Sequence, residues 1–375
     1  MRRFWIVLLT SFLLQASAMM AQQPEEKPLN ITPEERETAV RAIAKAFDER
    51  YVFPEVAAKV KQTMEEQLAN KGYDQITTGQ ALAAKLTTEL QAITKDKHVR
   101  VNCSTEKLPQ RGDQQGPSPS DMKKMKEAMR LRNAGFTKIE RLPGNIGYFR
   151  LDGFMDPEAG KDPLLATMMF LQNTDALIID LRYNGGGTPL MIRDLCSYFF
   201  DETPVHLNSM YFRQGNRKEE FWTNKEVPGP RYLNKDVYLL TSAFTFSGAE
   251  ECAYNFQTQK RGTIVGETTG GGAHPGGTVP LADHYMIFIP TGRAINPVTG
   301  TNWEGVGVKP DVAVNADKAL ETAQKLAIKK LLDSKDDAVK SRVKQELDQN
   351  KRMNERIEQR RQSTLKEREG KVAGK

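Results

Sequence analysis

Ser247 stands where an apolar run, DVYLL at Asp236–Leu240, gives way to a segment, Ala249–Phe256, with the apolar spacing of a helix face. A hydroxyl at such a join has two uses. It can cap the helix, its oxygen accepting an amide hydrogen of the first turn, with Glu250 three positions on completing a capping box. Or it can attack an electrophile above the sheet, where the free amides and the positive dipole end of the helix stabilise the oxyanion that the attack creates. The cap is the commoner use on this segment alone, so the rest of the chain has to decide.

Two further glycine-rich points fall just after strand-like runs. DLRYNGGG, Asp180–Gly187, ends a strand in charge and then loses its side chains, which lets backbone amides approach a ligand closely. GETTGGGAHPGG, Gly266–Gly277, does the same and adds His274. Neither matches a GxGxxG fingerprint or a Walker loop with its lysine, which argues against dinucleotide and nucleotide sites. The 4 histidines are dispersed, with no H-x-x-x-H or H-x-H cluster, and the 3 cysteines fit no zinc spacing, so neither metal nor cofactor is expected. His206 in PVHLN and His284 in LADHYM read as structural. Cys196 and Cys252 read as buried thiols in helical patterns; one disulfide stays open, and any pairing leaves a thiol over.

These loops need a sheet to hold them. NIGYFRLDGF (145–154), ALIIDLR (176–182), DVYLLTS (236–242), GTIVGE (262–267) and YMIFIPTG (285–292) read as strands, with helical patterns between several, among them Asp162–Leu171 and Pro189–Phe199. Alternation of this kind predicts an α/β domain with a largely parallel sheet and ligands beyond the carboxyl ends of its strands. Phe212–Gly229, charged and containing Gly and Pro, reads as an excursion over the cleft mouth or a plain surface loop. Ahead of the sheet, Thr32-Pro33-Glu34-Glu35 is a helix start, followed by helices from Pro54 and through Leu82, Leu86 and Leu90. Leu108–Asp121, rich in Pro, Gly and polar residues, reads as a loop, and Met122–Leu131 as a short amphipathic helix.

Of the 375 residues 39% are hydrophobic, enough for one large domain with a small companion. MRRFWIVLLTSFLLQASA has the basic start, short apolar core and small-residue end of a signal peptide, and predicts export with cleavage after Ala18 or near Ala21. No other segment reaches membrane-spanning length. The formal charge of +6 sits at the end: residues 341–375 hold 11 Lys or Arg against 6 Asp or Glu. The middle is nearly neutral and lacks the aromatic interleaving of nucleic-acid binders, so no nucleic-acid partner is expected. The organisation expected is a signal peptide at 1–21, a helical unit at 28–103, a linker and short helix at 104–138, an α/β domain at 139–333, and a charged helical or disordered tail at 334–375. With few apolar residues beyond Asp333, the tail is expected to be dispensable for folding.

The N-G-G-G loop, then TSAFTFSGAEE, then VGETTGGG, then EGVGVKPD at Glu304–Asp311, in that order, resemble the tail-specific, or carboxyl-terminal processing, serine proteases, in the branch similar to interphotoreceptor retinoid-binding protein and tricorn core protease. The similarity covers residues 145–312 strongly and the helical unit, with its KDKHVR segment, more weakly. It implies a crotonase-like (ClpP/crotonase) α/β fold, Ser247 as nucleophile with Glu250 as the glutamate of its S-x-x-E turn, and oxyanion amides from Gly248 and from Gly185 or Gly186. The lysine base of the processing branch is missing, since Gly270-Gly271-Gly272 stands in its place. In the tricorn-like branch a histidine does that work, and it falls on His98, with His274 as the alternative base. An imidazole suits the task at neutral pH. Lys97 stands where that branch has a relaying serine, which leaves Glu304, the better placed in the motif order, and Asp96 as candidates to orient the ring. Residues 104–138 are too few for a PDZ domain. The resemblance implies a serine endopeptidase hydrolysing peptide bonds in exported polypeptides by a Ser/His mechanism, periplasmic or secreted, with peptide or protein substrates and oligomers possible. The alternative is a noncatalytic module binding a hydrophobic ligand or peptide on the same fold.

Overall fold

The computed structural model describes residues 28–108 and 118–373. The expected signal peptide, and residues 109–117 of the expected loop, lie outside the described residues. In chain order the helices are α1 (Pro33–Arg50), α2 (Pro54–Ala69), α3 (Gly79–Thr94), α4 (Pro119–Leu131), α5 (Pro157–Leu171), α6 (Pro189–Ser197), α7 (Gly248–Thr258), α8 (Ala316–Leu332) and α9 (Asp337–Ala373). The strands are β1 (Arg100–Cys103), β2 (Phe136–Leu142), β3 (Ile146–Leu151), β4 (Ala176–Asp180), β5 (His206–Phe212), β6 (Arg217–Trp222), β7 (Asp236–Thr241), β8 (Thr263–Gly266), β9 (Gly276–Leu281), β10 (Tyr285–Pro290), β11 (Gly292–Ile295) and β12 (Val312–Ala313). The helix start at Thr32 is a full capping box: Thr32 Oγ1 accepts from the Glu35 amide at 3.2 Å, and Glu35 accepts from the Thr32 amide at 2.8 Å.

Six strands form the central sheet in the order β12-β8-β7-β4-β3-β2, parallel except where β2 meets β3. Period-2 alternation splits each parallel strand between two cores. Leu177 and Ile179 of β4, with Val237 and Leu239 of β7, face α5, α6 and α7. Ala176 and Ile178, with Tyr238 and Leu240, face Ala319, Ala323 and Ala327 of α8. Each of the larger buried side chains contributes about 1.5–3 kcal/mol. A near-continuous apolar run such as ALIID is what a strand covered on both faces requires.

The fifth strand expected from the sequence, β10, belongs elsewhere. It pairs antiparallel with β9 and with β1, the strand that follows the N-terminal helices. Tyr285, Ile287 and Ile289 of β10 pack with Val40, Phe47, Leu82 and Leu86 in one core. This plan departs from the crotonase-like (ClpP/crotonase) domain expected above: the N-terminal unit is hydrogen-bonded into a sheet with the later half of the chain, so the KDKHVR segment is part of the body that carries the glycine loops. The Phe212–Gly229 stretch is not plain surface loop either. Its Arg217–Trp222 portion is β6, paired with β5 and, through β5, with β11.

The tail is helical, one of the two forms expected, but its first part packs on the core. Val343 of α9 is 0% exposed in the core that covers the sheet, Val339 and Leu347 pack beside it, and Arg342 holds Asp175 at 2.5 Å. Residues 351–366 are exposed throughout. The dispensable part therefore begins near residue 351. A chain ending at residue 350 is expected to melt with the full-length protein. One ending at 335 loses a buried valine and is expected to melt lower by more than about 4 °C, as differential scanning calorimetry would show.

Candidate active site

Because β8, β7 and β4 are parallel neighbours, their carboxyl ends lie side by side, and the loops that leave them meet above the sheet edge. These loops are Leu181–Thr188 after β4, Ser242–Ser247 after β7 and Glu267–Pro275 after β8: the three glycine or serine points singled out in the sequence. Side chains fix the Ser242–Ser247 turn onto its neighbour. Ser242 Oγ donates to Arg182 O at 2.5 Å, Thr245 Oγ1 to Leu181 O at 2.8 Å, and the Phe246 amide to Asn184 O at 3.1 Å.

Ser247 ends that turn at φ +54°, ψ −121°. An ordinary N-cap residue sits in the extended region, as Thr32 does at −79°, 164°. A side chain at positive φ is held there only by its surroundings, and a strained strand-to-helix turn is how an attacking hydroxyl is raised above a sheet. The restraint is Glu250, which is fully buried. Its carboxyl accepts from the amides of Ser247 (2.8 Å), Gly271 (2.6 Å) and Gly272 (2.8 Å) and from Thr269 Oγ1 (2.5 Å). Burial pushes its acidity down, raising the pKa, and these four donors oppose that. The sequence reading of Glu250 as half of a capping box is thus incomplete, because the same carboxyl ties the serine turn to the glycine loop after β8.

Gly186 has φ +107°, and a Cβ there would stand 2.9 Å from Ser247 Cβ and 2.7 Å from the Gly248 nitrogen. Only glycine allows the two loops to approach so closely. The Gly186 amide donates to Asn184 Oδ1 at 2.8 Å, whereas Gly185 and Gly248 line the cleft together with Ser247.

His98 enters the same cleft from the turn before β1. Its ring packs on Phe246 at 4.6 Å and Phe288 at 5.6 Å, and both ring nitrogens are buried without a hydrogen-bond partner among the described residues. A Cβ on Gly272 would fall 2.6 Å from His98 Cε1, so the imidazole occupies the space beside the position where the processing branch carries its lysine. Lys97 donates to Gly270 O at 2.5 Å, joining this turn to the glycine loop. Asp96 lies closest to His98 of the two carboxylates proposed to orient it, 3.5 Å from Nδ1 with its Oδ1 also accepting the His98 amide at 2.9 Å. Glu304 instead contacts His274 at 3.4 Å and accepts from the Ala273 amide at 2.5 Å. His274 donates or accepts through Nδ1 at 2.7 Å from Asp96 Oδ2.

The groups therefore form a chain of contacts in the order His98, Asp96, His274, Glu304. Burial disfavours charge on Asp96, but the hydrogen bond with His274 and the nearness of the His98 ring outweigh it and hold this carboxyl below its usual range. Burial, and then the Asp96 charge, push Glu304 above its own. The environments set Asp96 to be ionised at neutral pH and lift Glu304 to about 7, where it is near half protonated. Asp96, His274 and Glu304 also bring ligand atoms within 4.8 Å of one another, a set chemically able to hold a divalent cation, although the shortest pair already shares a hydrogen bond.

His206 and His284 stand apart from the cleft: His206 stacks on Trp222 at 4.3 Å, and His284 pairs with Ser104 O at 3.1 Å. One residue of the cleft escaped the sequence reading. Glu251 lines it, 2% exposed, one position after Glu250. An acidic residue in the first turn of a helix carries an ordinary explanation in the helix dipole, which hid it. Among the described residues no helix is long and apolar enough to cross a membrane.

Residues 145–314 match the model of peptidase family S41, and residues 32–134 match the N-terminal domain of peptidase S41 in eukaryotic IRBP. Among solved structures, a putative peptidase from Parabacteroides merdae aligns at 18% identity over 82% of this chain and 99% of its own, with a TM-score of 0.54. A lipoprotein from Streptococcus agalactiae aligns at 16% identity over 80% and 98%, TM-score 0.52. The tricorn protease aligns at 13% identity over 82% and 37%, TM-score 0.50. At these identities the structures speak to the fold alone. The two family matches overturn the expected crotonase-like (ClpP/crotonase) assignment: the fold is that of the S41 peptidases, whose N-terminal domain accounts for the helices and the β1 segment that a single α/β domain leaves over. With its glycine loops, serine turn and closing motif all inside the matched span, the chain belongs to peptidase family S41 and is a serine-type peptidase.

Proposed function

We propose that the protein cleaves peptide bonds with Ser247 as nucleophile and His98 as general base. The observation that carries this reading is the placement of Ser247, at positive φ on a strand-to-helix turn, in one cleft with an imidazole whose two nitrogens are buried and unpartnered. His98 takes the Ser247 proton as Oγ attacks the carbonyl carbon. The amides of Gly248 and Gly185 receive the oxyanion; Gly186 is set aside because its amide is already donated to Asn184. The imidazolium returns the proton to the leaving amine, and water, activated by the same ring, releases the acyl group. Asp96 orients His98 and stabilises its charged form, while His274, itself in contact with Glu304, holds Asp96. The substrates are peptide segments of exported polypeptides, in keeping with the leader-like residues 1–21, and the site of action is periplasmic or secreted.

Incubating an unfolded polypeptide with the protein is expected to give new amino termini, and Ser247→Ala is expected to abolish them while melting within a few degrees of wild type. Equal cleavage by both proteins would overturn the assignment. Absence of cleavage and of serine-probe labelling in the wild type would leave the fold as a binding module.

A further inference from the structure

We infer that the cleft beyond Ser247 is a specificity pocket that takes a basic side chain, lysine above all, at the substrate position preceding the scissile bond, with Glu251 as its anionic floor. This rests on Ser247 as the attacking residue, since that position is defined by the carbonyl the serine attacks.

Glu251 lies one helical turn beyond Ser247 on α7 and lines the same cleft, a space of about 400 Å³. Met210 of β5, Ala294 of β11 and Trp303 line it too and present apolar walls. Glu251 is 2% exposed, and the two amides nearest its carboxyl, Asn208 of β5 and Asn255 of α7, are 0% and 1% exposed. Both lie close enough to draw charge onto Glu251, yet all four of their amide atoms lack a well-formed hydrogen bond among the described residues. Native interiors seldom leave such groups unpaired, and a cluster of them beside a cleft asks for a guest.

The guest must offer donors, present a stem that apolar walls tolerate, and compensate a buried carboxyl. Burial lifts Glu251 to about 8, so the empty pocket holds it neutral at pH 7. An ammonium brings a donor and a positive charge for the carboxylate, and its four-carbon stem lies along Met210, Ala294 and Trp303. As it seats, Glu251 releases its proton to solvent and becomes the counter-ion. A purely apolar residue would leave the Glu251 carboxyl without a counter-charge, and an acidic one would set a second carboxyl against it.

The test uses three phosphonate probes on the full-length protein: a small fluorophosphonate with no side chain to seat, and two peptidyl phosphonates identical except for lysine or norleucine next to phosphorus. Norleucine keeps the stem and removes the ammonium. The lysine probe is expected to inactivate at least about tenfold faster, and Glu251→Gln is expected to bring that ratio near one. If the fluorophosphonate labels but the wild-type ratio is one or lower, the pocket inference is overturned while the nucleophile stands. If the ratio survives in Glu251→Gln, the floor is some other residue and the inference is likewise overturned. If the fluorophosphonate labels nothing, the nucleophile assignment falls and the pocket with it. Should Glu251→Gln fail to fold, the wild-type ratio alone still decides.

Discussion

His98→Ala is expected to slow fluorophosphonate labelling of Ser247 by about 10²–10⁴, the usual worth of a general base. The size follows from the role: among the described residues His98 and His274 are the imidazoles that line the cleft, and it is His98 that packs on Phe246, the residue before Ser247. His274→Ala removes a prop from Asp96 rather than the proton acceptor, so its expected loss is about that of one hydrogen bond, roughly tenfold or less. Second-order rate constants for the two variants, measured with the same probe and checked by thermal melts, separate these roles. A His274→Ala loss larger than that of His98→Ala would transfer the base to His274 and leave the nucleophile in place.

Gly186→Ala is expected to cost at least about 10² in the same rate constant, because an ångström of displacement at the attacking atom is enough for that. The added methyl would stand 2.9 Å from Ser247 Cβ and 2.7 Å from the Gly248 nitrogen, inside contact distance of both the nucleophile and an oxyanion amide, at a φ of +107° that alanine resists. Gly185→Ala is the contrasting variant, since a Cβ there meets nothing within 4 Å. It should retain most of the rate. Equal losses at the two positions would show that the Ser247 turn does not depend on this close approach.

The parallel strands were legible because each is covered on both faces, which leaves an unbroken apolar run such as ALIID at 176–180. β10 was equally apolar, yet nothing in YMIFIP says that its partners are β1 and β9; that pairing is a contact between distant segments and has no local signature. β6 was hidden by its charge, RKEEFW, which suits an edge strand as well as a loop. The first half of α9 was misread for a related reason: one fully buried valine, Val343, among many charges marks a narrow contact stripe that composition averages away.

In the site, Ser247, His98, Gly185 and Gly248 were named from the family resemblance and line one cleft. Glu304 was favoured over Asp96 to orient the base on motif position, and the structure puts Asp96 beside His98, because the αL turn at Lys95 that ends α3 folds Asp96 back beneath the ring. Gly185 and Gly186 could not be told apart without knowing where the Asn184 side chain points. Glu251 was passed over because its sequence neighbourhood explains it and only its burial does not.

The most direct measurement is peptide mapping of the fluorophosphonate adduct by mass spectrometry on the native and the denatured protein. The account predicts one adduct, on Ser247, in the native protein and none after denaturation, since the reactivity belongs to the folded turn and its imidazole. An adduct on another serine, or labelling of Ser247 that persists in the denatured chain, would contradict it.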